Sequence, residues 1–276
     1  MSELAEPVAG PSNRDPDINT SIGEVDVEVE HHIALVTINR PKKLNTLTPA
    51  MGRELMRISG QLNADEDVRV VVLRGAGDRA FSAGSDITAL DAYGDNWQLR
   101  NRVDYARAIW AIRKPVIAEI HGWCIGGGLE MALMSDIRIS APSAKFAAGE
   151  IKLGWHGGAG NTQLLPRVVG PGQAALMLLT GDPISADEAF RVRLVDRVVD
   201  EGNLHTEVMA LAGLIASRAP IAAQVAKHLI RISQSTSLDV GLSYENDTFA
   251  YLFTTHDSSE GRTAFLEKRQ PRFTGR

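Results

Sequence analysis

The sequence predicts an α/β protein. Up to about residue 200, short apolar runs of strand type alternate with longer stretches at helical spacing, and beyond that point only helical patterns remain. The chain is also large enough for one sizeable core, with 276 residues of which 44% are hydrophobic. From this order alone the plain expectation is a layered sheet flanked by helices.

Residues 25–39, VDVEVEHHIALVTIN, predict two strands. Val25, Val27 and Val29 alternate with acids, and Ile33–Ile38 is apolar enough for a strand covered on both faces. RPKKLNTLTPA is a loop, and Thr48 followed by Pro49 is a good helix start. Met51, Leu55, Ile58 and Leu62 fall on one face of that helix. VRVVVL from Val68 is a strand, Gly75–Asp78 a turn, and FSAGSD from Phe81 a loop. A helix is expected over 97–112, a buried strand over 115–120, a helix over 130–134 and a strand over 137–139. After a glycine-rich loop at 154–160, helices are expected over 171–179, 186–191, 203–217, 219–232, 238–254 and 260–267.

The formal net charge of −5 gives no reason to expect a nucleic-acid partner. One cysteine, Cys124, excludes an intrachain disulfide, and its apolar neighbours suggest a buried thiol in a reducing compartment. No apolar run approaches the ~20 residues needed to span a membrane. Residues 1–24 are acidic, rich in Pro, Gly, Ser and Asn, and unlike a secretion signal, so a flexible leader and a cytoplasmic location are expected. Scattered histidines have no ligand spacing, so no metal site is expected.

The stretch GWCIGGGLE from Gly122 to Glu130 joins a strand to a helix through glycines. Glycine admits unusual backbone angles and close approach, and a helix start offers free N–H groups and a partial positive charge. Tight helix packing and a site for an oxyanion or phosphate both remain open; neither usual phosphate motif fits. Glu130 lies in an apolar helix start, where a carboxylate is costly unless it is paired or used. It is either a dipole-favoured helix acid or a carboxylate tuned for proton transfer. Glu150 is a second acid between apolar stretches, beside the later glycine loop. Two such groups suit work on one water or one C–H bond.

These segments resemble the enoyl-CoA hydratase/isomerase, or crotonase, superfamily. The resemblance is carried by VTINRPKKLNTL, AFSAGSDI, HGWCIGGGLEMALMSDIRI, FAAGEIKLGWHGGAG, LTGDPISADEAFRVRLVDRVV and AFLEKRQPRFTGR, in this order. It implies a crotonase-like spiral of ββα units with a C-terminal helical region, in place of a plain layered sheet. The implied divisions are a leader at 1–24, a spiral core with the acyl-CoA site at 25–200, and a helical oligomerisation region at 201–276, assembling trimers or hexamers. It also implies an oxyanion hole for the thioester oxygen, made by the backbone N–H groups of Ser85 and Gly127. Glu150 would deliver the Cα proton and Glu130 would activate water. Lys43, Leu44, Ala83, Ser85, Asp86, Ile87 and Gly127 match the region that recognises coenzyme A, with Lys268 placed to meet its phosphates. For Asp86 a turn-capping role stays open, and for Lys268 a solvated surface role. Coenzyme A enters as part of the substrate, and no permanent cofactor is implied.

The sequence departs from the usual hydratase pattern just beyond Glu150, where LG is followed by two variable residues and PGAGGTQRL. Here Gly157 replaces the proline, Asn161 a glycine and Leu164 the arginine. Trp155 and His156 are bulky or polar at the variable positions, and with Gly158 they are candidates for the acyl pocket. His156 is open to three roles: a supporting loop residue, a contact to an oxygenated acyl group, or an acid or base. Gly158 stands where a dienoyl-CoA isomerase has aspartate. Trp97, Tyr105 and Trp110 belong to a variable segment expected near the acyl tail, as packing residues or as walls for a cyclic acyl group. The reading is an enoyl-CoA hydratase. The alternatives are an isomerase, a hydratase-lyase or another acyl-CoA enolate enzyme, or a non-catalytic acyl-CoA binder, which the glutamate pair argues against.

Overall fold

The computed structural model describes residues 25–276. The leader expected at 1–24 lies outside them. The chain opens with the antiparallel pair β1 (Val25–Glu30) and β2 (Ile33–Ile38), in which Val25, Val27 and Val29 point into the core. Helix α1 (Pro49–Ala64) starts where the Thr48–Pro49 pair predicts: Met51 N–H donates to Thr48 Oγ1 at 3.3 Å. Its Met51, Leu55, Ile58 and Leu62 are all buried.

Strands then come in pairs, one to each of two sheets. β3 (Val70–Gly75) is followed by β4 (Ala80–Ser82), β5 (Val116–Ile120) by β6 (Trp123–Ile125), and β7 (Ile137–Ser140) by β8 (Lys145–Ala147). Between them run α2 (Asn96–Arg100), α3 (Tyr105–Ala111) and α4 (Gly127–Met134). The first strand of each pair joins a sheet ordered β1-β2-β3-β5-β7 and the second a sheet ordered β4-β6-β8. Pairing is parallel from β2 through β7 and from β4 through β8. Each strand–strand–helix unit therefore advances both sheets by one strand, which is the spiral of ββα units that the resemblance implied.

The chain continues through α5 (Asn161–Val169), α6 (Pro171–Thr180), β9 (Ile184–Ser185), α7 (Ala186–Arg191) and β10 (Arg197–Val198). β9 and β10 complete the two sheets at β8 and β7. Helices α8 (Leu204–Ala216), α9 (Pro220–Ser233), α10 (Leu238–Leu252) and α11 (His256–Leu266) follow. The larger core lies among α1, α3, α4 and the sheets, while Leu204, Val208 and Ala212 of α8 cover the other face of the larger sheet.

Several expectations need correction. The start of FSAGSD belongs to β4, and the approach to the glycines contains β6, where loops were expected. β8, β9 and β10 were also missed: two or three residues are too few to show a period, and such strands exist only through pairing. The helix expected over 97–112 is two helices, because Asp104 caps a new start at Ala106 and Arg107. α5 was missed directly after the glycine-rich loop, and α11 begins at His256, with the Thr255 side chain as its cap.

Candidate active site

The site forms where β4 and β6 end side by side. Gly84 has φ +83°, and a Cβ there would come within 2.6 Å of the Gly127 nitrogen. This contact sets two backbone segments against each other, and only glycine permits it. Around it, Gly84 N–H donates to Ser82 Oγ, Asp86 N–H to Leu47 O, Gly126 N–H to Ala147 O and Glu130 N–H to Gly126 O. Among the described residues no acceptor is in hydrogen-bond reach of the N–H of Ser85 or of Gly127. Gly127 opens α4, so its N–H also lies at the positive end of the helix.

The three glycines have separate physical reasons. Gly126 caps α4 at φ 55° and lies against the Glu150 carboxylate. A Cβ on Gly128 would meet Ser82 O at 2.0 Å, and one on Gly127 would fall 1.8 Å from the Tyr105 hydroxyl. Tyr105, at the start of α3, thus stands at the site itself, its hydroxyl 2.9 Å from Ser85 Oγ. Burial, with the Glu130 charge, raises its pKa well above the usual phenol value, so it remains protonated. The other two aromatics do not join it. Trp97 is 71% exposed, and Trp110 lies under the Arg231 guanidinium at 4.0 Å.

Glu130 is 2% exposed, on the first turn of α4. Its Oε1 accepts from Ala159 N–H at 2.7 Å and from Asn161 N–H at 3.4 Å. Glu150 sits in a 3₁₀ turn, Gly149–Leu153, and its Oε1 accepts from the Asn161 side-chain amide at 3.0 Å. Asn161 is fully buried and touches both acids, its amide also donating to Gly126 O at 3.3 Å. Glu150 Oε2 and Asn161 Oδ1 are buried without a hydrogen-bond partner among the described residues. Burial raises both carboxyl pKa values. Glu130 is pushed up to about 7, with the Glu150 charge adding to burial and the two backbone donors opposing it. The His156 charge and the Asn161 amide partly offset the rise at Glu150.

The remaining candidates divide. Ala83 N–H donates to Leu44 O at 2.9 Å, so the first two motifs are neighbours. Lys43 and Ile87 are exposed on this rim. Asp86 takes the capping arrangement: it accepts from Thr88 N–H and pairs with Arg40 at 3.1 Å. Trp155 and His156 are exposed, and His156 Nδ1 donates to Gly157 O at 2.8 Å. Gly158 lies under Arg102, whose guanidinium is 3.1 Å from the place of a Cβ there. Lys268 is exposed beyond α11, and no hydrogen bond or ion pair links it to the site. Among the described residues no group of three His, Cys, Asp or Glu side chains is placed to hold a metal ion. Sequence reasoning missed the bridging role of Asn161 and the placement of Tyr105. The only signal for Asn161 was its replacement of a glycine in the resembled pattern.

A spiral of ββα units with two unpartnered N–H groups beside a buried and a half-buried glutamate is the architecture of an acyl-thioester enzyme. The sequence pattern defining the enoyl-CoA hydratase/isomerase family matches residues 28–276, and the chain belongs to that family. It is 40% identical to the crotonyl-CoA hydratase of Syntrophomonas wolfei over 254 residues, covering 90% of this chain and 96% of the relative. It is 38% identical to the (E)-benzylidenesuccinyl-CoA hydratase of Thauera aromatica over 253 residues, covering 91% and 99%. The crystal structure of an enoyl-CoA hydratase from Bacillus anthracis superposes with a TM-score of 0.87 at 37% identity, covering 92% of this chain and all of that one.

Proposed function

We propose that the protein is an enoyl-CoA hydratase, adding water reversibly across the Cα=Cβ bond of a 2-enoyl-CoA thioester. The observation that carries this reading is the pair of buried Glu130 and half-buried Glu150 joined at Asn161. Curated hydratases at about this level of identity span nearly the whole chain.

The thioester oxygen accepts from the N–H groups of Ser85 and Gly127. Glu130, ionised, takes a proton from water as the water oxygen bonds to Cβ. The C=C electron pair moves toward the thioester, and the enolate oxygen gains charge in the hole. Loss of one such donor typically costs about 3 kcal/mol in the transition state. Glu150, protonated, then gives its proton to Cα. One water is consumed, and return of the proton from Glu130 to Glu150 resets the pair, which titrates as a unit. The backbone around Leu44 and Ala83, with the rim residues Lys43, Asp86 and Ile87, holds the coenzyme A portion. Trp155, His156 and Gly158 border the acyl group.

The same reading makes the protein a homo-oligomer, a trimer or hexamer, assembled through the helices beyond residue 200. Exposed Leu238, Phe249, Tyr251, Phe265 and Leu266 on α10 and α11 support this, and light scattering on the eluting protein tests it. A cytoplasmic location belongs to the reading and is supported by the single, buried cysteine.

The test is incubation with short, long, branched and aromatic enoyl-CoA thioesters, followed by mass spectrometry. A gain of one water on one class supports the hydratase and names its acyl group. A shifted double bond without mass gain, or cleavage to a shorter thioester, moves the assignment to an isomerase or a hydratase-lyase.

A further inference from the structure

We infer that Asn161 is a positioning residue that aims Glu150 at the reacting carbon and holds the attacking water with its free carbonyl. The inference rests on the hydratase reading above.

Asn161 is the first residue of α5, fully buried, and its backbone and side chain serve different acids. The backbone N–H reaches Glu130 Oε1, while the side-chain amide donates to Glu150 Oε1 and to Gly126 O. Both amide hydrogens are thereby used, so the amide orientation is fixed and Oδ1 points away from these partners. Oδ1 and Glu150 Oε2 are buried with no partner among the described residues. Buried oxygens left unsatisfied are costly; a water bound as substrate between the two acids would donate to Asn161 Oδ1 and accept from the protonated Glu150 Oε2. Water donating one hydrogen to Glu130 and the other to Asn161 Oδ1 turns a lone pair of its oxygen toward Cβ.

The neighbouring residue makes room for this arrangement. A Cβ on Gly157 would lie 2.8 Å from both Asn161 Cβ and Glu130 Oε1. The two departures from the resembled pattern, glycine at 157 and asparagine at 161, are therefore one packing exchange: the volume given up at 157 is taken by the amide. The charged group acting on Glu150 is His156, from the loop that follows it; Glu150 itself and Asp104, at the start of α3, act on Glu130. Neither His156 nor Asp104 replaces the amide, because neither donates a hydrogen bond to Glu150 among the described residues.

Asn161→Ala and the equal-sized Asn161→Asp test this in the assembled enzyme, with folding checked by circular dichroism. Two readouts are used. Infrared titration follows the carboxylic-acid band that disappears in Glu150→Gln. Losing the amide donor raises the Glu150 pKa, so the band is expected to persist to higher pH in both variants. This readout needs no turnover. In hydration assays beside wild type, kcat should fall by about tenfold or more with KM changed less than about threefold, and the high-pH limb should move upward. An unmoved infrared midpoint, or wild-type kcat in a folded variant, overturns the inference even if the wild type hydrates enoyl-CoA. A moved midpoint in a protein whose wild type hydrates nothing overturns the hydratase reading and the water-holding role with it, leaving only the contact to Glu150.

Discussion

Glu130→Gln separates what this carboxylate does for the reaction from what it costs the fold. The substitution keeps the shape of the side chain, and its carbonyl oxygen can still accept from Ala159 and Asn161. Burial and the nearby Glu150 lift the Glu130 pKa from 4.5 to about 7 in the folded protein. In the unfolded chain it titrates at the ordinary value. Between these two values the unfolded chain has released a proton that the folded chain still holds. Stability is therefore lost as pH rises through that window, and the loss is complete above about 7. At 1.36 kcal/mol per pH unit the interval is worth about 3 kcal/mol. Glutamine has no proton to lose, so Glu130→Gln should resist urea better than wild type at pH 8 by up to about 3 kcal/mol, and much less so at pH 4.5. Unfolding curves at fixed protein concentration measure this, since assembly also shifts the midpoint. Turnover should fall at least about a hundredfold in the same protein. A stability difference independent of pH, or a variant weaker than wild type at pH 8, would rule out a raised Glu130 pKa as the source of the effect.

Glu150→Gln should abolish hydration while acyl-CoA binding, measured by calorimetry, stays within about threefold; near-wild-type turnover would remove Glu150 from the proton-transfer step. Gly127→Ala places a methyl group on the Tyr105 hydroxyl, 1.8 Å from it, so Tyr105 must be displaced. The expected result is a fall in kcat of about a hundredfold or more in a folded protein, and full activity would show that the tyrosine moves freely. His156→Ala, at an exposed residue whose charge lowers the Glu150 pKa, should move the Glu150 titration upward and alter preference among acyl groups. An unchanged profile across the enoyl-CoA panel would remove His156 from the pocket.

Local residue patterns specify the separate elements. Alternation in VDVEVE, the Thr48–Pro49 helix start and the heptad-like run from Met51 to Leu62 are local signals, and each element formed where its own residues required. Glu130 and Glu150 were visible because a carboxylate inside an apolar stretch is expensive, and the glycine run because it joins a strand to a helix. The motif order made the spiral legible as a resemblance; the residues alone gave only an α/β order. Tertiary structure decided what meets. β4, β6 and β8 are strands only because they pair with one another, a fact that three residues cannot encode. Tyr105 meets Ser85 where Asp104 restarts the helix, a contact between residues 20 apart in the chain. The glutamates become a pair through Asn161, whose chain separation from them, 31 and 11 residues, leaves no periodic trace. Such contacts are fixed by the path of the backbone through two interleaved sheets, and by the close approach of Gly84 to Gly127.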